Sequence, residues 1–162
     1  MGDFQATHFD PRRVIFIRPV TQIALDPAFS WPYTPLGLAY LNKGMLPEAI
    51  AAFEGYPRSA GKPLPDSGFL GFAYARASRI KEAQDLLGRL LELERQGRNV
   101  RLEIAYVQHG LGNEEAALAL LNKLVDEHEI VFGGFMWALW LFEDIRPLPG
   151  FQSVLKRLNL PR

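Results

Sequence analysis

His8, His109 and His128 are the residues best suited to hold a metal in a chain that has no cysteine. No two of them are spaced to share one helix face, and a structural zinc takes about four convergent ligands. No metal is expected, and disulfides and thiolate sites are excluded. Gly55 to Lys62 has a superficial likeness to a phosphate-binding loop. Gly55 and Gly61 are one residue too far apart, and Pro63 stands where the motif needs a hydroxyl. The segment also follows a helical pattern rather than a strand. Glu114-Glu115 and the pair Glu92 and Glu94 fall on polar helix faces, where solvated charge accounts for them. No Ser stands with His and Asp in a nucleophile pattern. Trp31, Trp137 and Trp140 lack the basic groove that single-strand binders pair with aromatics. Trp137 and Trp140 fit a core or a dimer face instead. No catalytic residue and no cofactor are assigned.

What organises the chain is a spacing of 34 residues. Leu36-Gly37-x-x-Tyr40 recurs as Leu70-Gly71-x-x-Tyr74 and, more weakly, as Ile104-Ala105-x-x-Gln108. Gly44, Ser78 and Gly112 align, as do Ala49, Ala83 and Ala117, then Phe53, Leu87 and Leu121. Such a period with small residues at fixed places marks a helix-turn-helix repeat. Gly37, Gly71 and Ala105 must be small where two helices cross. Ala49, Ala83 and Ala117 meet that crossing from the second helix. Tyr40 and Tyr74 fill space between repeats, and Phe53, Leu87 and Leu121 seal the inner seam.

The repeats are placed at about residues 29–62, 63–96 and 97–130, with a divergent cap over 131–162. The first has a helix over Tyr33–Asn42, capped by Gly44, and a second ending near Gly55. The second has helices over Asp66–Ala77 and Ile80–Gln96. The third has helices over Asn99–His109, with Asn99 as N-cap, and Glu114–Glu127. The cap holds an aromatic helix, Val131–Phe142, ended by Pro147 and Pro149, then a short amphipathic helix over Phe151–Leu158. Residues 1–28 do not fit the period. Val14-Ile15-Phe16-Ile17 reads as a strand or extended segment, and Pro19 stops a helix. It is expected to cap the first repeat or to pair with a second chain.

The chain resembles a tetratricopeptide repeat protein. Leu25-Asp26-Pro27-Ala28-Phe29, Leu36 to Phe53, Ala73-Tyr74-Ala75-Arg76 and Leu111 to Ala116 are similar to the repeat tails of large bacterial signalling proteins and transcriptional regulators. Those tails commonly close on a pattern like that of Pro149 to Pro161. The resemblance implies an all-α, right-handed solenoid of about three repeats plus a divergent C-terminal helix pair. It implies an interaction scaffold, non-enzymatic, because no kinase, cyclase or DNA-binding part is present.

In such a stack the first helices line a concave groove. The equivalent positions are Leu38, Phe72 and Tyr106, with Asn42 and Arg76 one turn on and His109 nearby. They outline an apolar stripe edged by one cation, suited to an apolar peptide or partner helix. The alternative is a small enzyme or ligand binder with a pocket near helix 131–142. Lys+Arg and Asp+Glu both number 18, so no net field steers the chain onto nucleic acid or an acidic membrane. No apolar run has the roughly 20 residues of a membrane span, and Met1 to Asp10 lacks a signal-peptide pattern. A cytoplasmic protein is expected, with protein or peptide partners. A homodimer would form through the N-terminal segment or the aromatic helix.

Overall fold

The computed structural model describes residues 33–59, 67–129 and 139–160. The described residues form helices and turns, with no strand among them. The chain divides into two compact units, Met1–Leu64 and Pro65–Arg162. The Val14–Ile17 segment, His8, most of the aromatic helix and the loop before Ser67 lie outside the described residues.

The first unit holds one helical hairpin, α1 (Tyr33–Asn42) and α2 (Leu46–Ser59). Leu36, Leu41, Ala49, Ile50 and Phe53 are buried in it. Gly37 is small for the expected reason. A Cβ there would lie 2.5 Å from the Phe53 ring carbon Cδ1, closer than packing allows. α2 runs about one turn past the expected end at Gly55. Pro57 lies inside that last turn, where a missing N–H removes a single helical hydrogen bond.

The second unit begins with α3 (Gly68–Arg76), α4 (Ile80–Arg95), α5 (Arg101–Gly110) and α6 (Glu114–Asp126). A 3-10 segment, Leu139–Ile145, and a final helix, α7 (Pro149–Arg157), complete it. The turns that join the helices of each pair repeat atom for atom at the sequence period. Gly44, Ser78 and Gly112 all have positive φ, at 71°, 60° and 79°. The N–H groups of Met45, Arg79 and Asn113 donate to the carbonyls of Tyr40, Tyr74 and Gln108 at 2.8–3.0 Å. This is a Schellman closure, which satisfies carbonyls the helix end would otherwise strand. Ser78 adopts a conformation that glycine takes at no cost, so its register was legible only through alignment with its two glycine counterparts.

α3 is almost wholly apolar and almost wholly buried, as an all-round apolar helix must be. Its glycines set how close α5 comes. A Cβ on Gly68 would meet the Glu103 backbone at 2.5 Å, and one on Gly71 would meet Val107 Cγ2 at 2.4 Å. The tightest contact at Gly71 is therefore with the first helix of the next repeat. Leu86 of its own partner helix stands at 3.1 Å. α4 presents Ala83, Leu86 and Leu90 to the core. Leu87, expected to seal the seam, is only half-buried, because the turn of the helix puts Leu86 and Leu90 inward instead. Ala117 and Leu121 of α6 are fully buried, as their columns require.

Three further boundaries differ from expectation. α5 starts at Arg101 with Val100 at its N-cap, so Asn99 does not cap it. Residues 139–145 are 3-10 rather than α, with a break at Phe142 (φ −100°, ψ 16°). α7 starts at Pro149, whose missing N–H is harmless in the first turn, and Leu148 before it is extended.

Candidate functional site: the first-helix face of the second unit

α3 and α5 carry Phe72 and Tyr106 at equivalent positions, and Arg76 and His109 lie about one turn further along. Leu38 and Asn42 occupy the corresponding places in the first unit, half-buried and exposed respectively. The second unit does not leave its four residues open. Phe72, Tyr106 and His109 are 6%, 2% and 3% exposed, while the Arg76 side chain is about half exposed at 49%. The difference from an open groove has two causes: the 3-10 segment Leu139–Ile145 lies against Tyr106, His109 and Arg76, and α5 packs on Phe72 through His109 and Gly110.

Phe142 is the anchor. Its side chain is fully buried, 5.6 Å from the Tyr106 ring and 4.9 Å from His109, with Phe151 of α7 behind it at 5.5 Å. Phe72 stands 5.8 Å from His109, and Phe69 4.9 Å from Tyr106. These separations are those of favourable aromatic pairs. Two residues on, Asp144 reaches back to the same face. Its Oδ1 lies 3.0 Å from His109 Nε2, and its Oδ2 accepts from Arg76 Nη1 at 3.3 Å. Arg76 also lies over the Phe72 ring at 5.6 Å.

The His109 ring can be assigned from its neighbours. Nε2 faces two acceptors, the Leu141 carbonyl at 2.9 Å and Asp144 Oδ1, so Nε2 carries the hydrogen. Nδ1 is buried and has no partner among the described residues. The Tyr106 hydroxyl is likewise buried without a partner among them. Burial, aided by the negative charge of Glu103, holds the Tyr106 hydroxyl protonated well above the usual phenol range. Burial also raises the Glu103 carboxyl. The face thus offers aromatic rings, one cation, one imidazole N–H and two unsatisfied polar atoms. Nothing in that set is a nucleophile with its base.

The sequence singled out the repeat side of this arrangement and missed the other. Leu141 and Phe142 were placed in the aromatic helix, and Asp144 was given no role. The available signal was the acid pair Glu143-Asp144 interrupting an apolar stretch just before Pro147.

Elsewhere in the second unit, Arg101 of α5 joins Glu94 of α4 to Glu127 and Glu129 after α6. Its hydrogen bond to Glu94, then the nearby Glu127 and Glu129 carboxylates, raise its already high pKa. His128 lies two residues past the end of α6, with φ 55°. An open cleft of about 520 Å³ is lined by Leu124, Asp126, His128, Arg157 and Asn159, among others. Asp126 there is already paired with Arg157. Among the described residues no three His, Asp or Glu gather as a metal site, and no helix is long and apolar enough to cross a membrane.

With this geometry in view, the comparisons with known proteins are informative at one level. The chain is similar to Superkiller protein 3 of Schizosaccharomyces pombe, at 30% identity over 97 residues. That stretch is 60% of this chain and only 7% of the yeast protein. No protein-family model matches the sequence, and no solved structure matches the chain.

Proposed function

We propose that this chain is a non-enzymatic protein-interaction module of the tetratricopeptide type. It holds a peptide segment of its partner on the first-helix face that carries Phe72, Arg76, Tyr106 and His109. One observation carries the proposal: this face already grips a stretch of polypeptide that is not part of the repeat. It does so by ring packing, by a hydrogen bond to a main-chain carbonyl and by a clasped carboxylate. Those are the terms by which peptide grooves gain affinity and register. The 34-residue period, the matching turns and the limited likeness to Superkiller protein 3 support the same reading. Leu38 and Asn42 would serve the equivalent positions of the first helical pair.

The test is affinity capture from the native host with the full chain, compared with Arg76→Glu and with Gln84→Glu. Arg76 is exposed, so reversing its charge spares the core. Gln84 is an exposed residue on α4. The proposal expects partner recovery to fall at least tenfold, about 1.4 kcal/mol, for Arg76→Glu alone. Equal recovery from all three would remove this face from the interaction.

A further inference from the structure

The covered face raises the question of what outside partner it is shaped for. We infer that Leu141–Asp144 is an internal ligand, and that the partner is a peptide with the same chemistry: an aromatic side chain followed two residues later by a carboxylate. The inference rests on the proposed function and names the partner class for that site.

Five observations support it. Phe142 enters an aromatic enclosure made by Tyr106 and His109, with Phe72 5.8 Å from the imidazole. The Asp144 carboxylate bridges His109 Nε2 and Arg76 Nη1, one oxygen to each. The two anchors are therefore read by one helix pair, at a fixed separation along the peptide. Next, the outer anchor is easily released. Arg76 and Asp144 are each about half exposed, at 49% and 47%, and exposed pairs of this kind hold weakly. The occupant is also a kinked 3-10 turn rather than a regular helix, a conformation that an unrelated peptide can reproduce over so few residues.

The fifth observation distinguishes a ligand site from ordinary core. His109 Nδ1 and the Tyr106 hydroxyl are buried without partners. Buried polar groups in proteins are nearly always satisfied, and leaving one unmet is costly. The internal segment therefore fits the rings and the clasp but not the whole site. A partner peptide that also supplies hydrogen-bonding groups to these two atoms would hold the face better than the segment it replaces. Until then the internal segment lowers the apparent affinity by the fraction of molecules in which the face is open.

The probe is a fluorescently labelled peptide with the sequence of residues 139–146, Leu-Trp-Leu-Phe-Glu-Asp-Ile-Arg, titrated by anisotropy against the full chain. Asp144→Ala removes the internal carboxylate from His109 and Arg76 without touching the core, leaving His109 only its contact with the Leu141 carbonyl. Phe142→Ala opens the enclosure itself, and circular dichroism reports whether that chain stays folded. The expectation is at least tenfold tighter peptide binding to Asp144→Ala than to the wild-type chain. It includes at least a tenfold loss when the peptide carries Ala in place of its Phe or of its Asp. Failure of the peptide to bind Asp144→Ala would overturn the inference, as would equal binding of the Ala-substituted peptides. If Phe142→Ala unfolds, the Asp144→Ala titration alone decides. Partner capture that still depends on Arg76, together with no peptide binding, would leave the proposed function standing and remove only the internal-ligand inference.

Discussion

The Tyr106 hydroxyl is a useful place to test the residue-level account, because it is buried and unpaired. An unmet buried hydroxyl costs about 1–3 kcal/mol, and removing it with the ring kept in place should recover part of that. Tyr106→Phe is expected to match or exceed the wild-type melting temperature. A clear fall in a thermal melt would mean that the hydroxyl has a partner. Gly71 makes the opposite case. Its missing side chain lets Val107 approach to 2.4 Å from where a Cβ would sit, with Leu86 at 3.1 Å. Gly71→Leu should destabilise by at least about 1–3 kcal/mol, the usual cost of overpacking. Denaturant titration with an unchanged midpoint would contradict the crossing assigned to it. Gly71 was legible in the sequence because small residues recur at its column. The orphan atoms of Tyr106 and His109 were not, since burial by a segment more than 30 residues away leaves no local signal.

At the scale of the elements, the helical hairpins and their turns followed from the period, and the ends of several helices did not. Asn99 looked like an N-cap by type, yet α5 begins two residues later with no side-chain cap, because tertiary contact fixes its start. Residues 139–142 looked helical by apolar content, and periodicity cannot separate an α-helix from a 3-10 turn held by ring packing. Phe72 and Tyr106 were legible as a column, but both are buried, Phe72 against α5 and Tyr106 against Phe142 of that turn. Phe72→Ala with Tyr106→Ala should therefore unfold the second unit rather than merely weaken binding. Aromatic truncations in a core cost about 3–5 kcal/mol each, and a whole domain holds only about 5–15. Far-ultraviolet circular dichroism that keeps its wild-type signal at 25 °C would show the face to be less structural than described. Arg101 ties α4 and α5 to the end of α6 through three carboxylates. Arg101→Met should lower the melting temperature, and the deficit should shrink in high salt, where the wild-type network is screened. A deficit independent of salt would point to lost packing instead.

For the molecule as a whole, balanced charge leaves recognition to shape and to local anchors. With 18 Lys+Arg against 18 Asp+Glu, no global field speeds association or selects polyanions. The described helices supply a scaffold whose repeating face is already able to hold polypeptide. The central claim is that a partner contacts this face and not the outer helices. Site-specific photocrosslinking tests it most directly. A photoreactive side chain is placed at position 76 on α3 in one chain and at position 84 on α4 in another, and each is irradiated in host extract. Protein adducts from position 76, reduced by excess unlabelled wild-type chain and absent from position 84, are the predicted result. Adducts from position 84 alone, or equally from both, would contradict it.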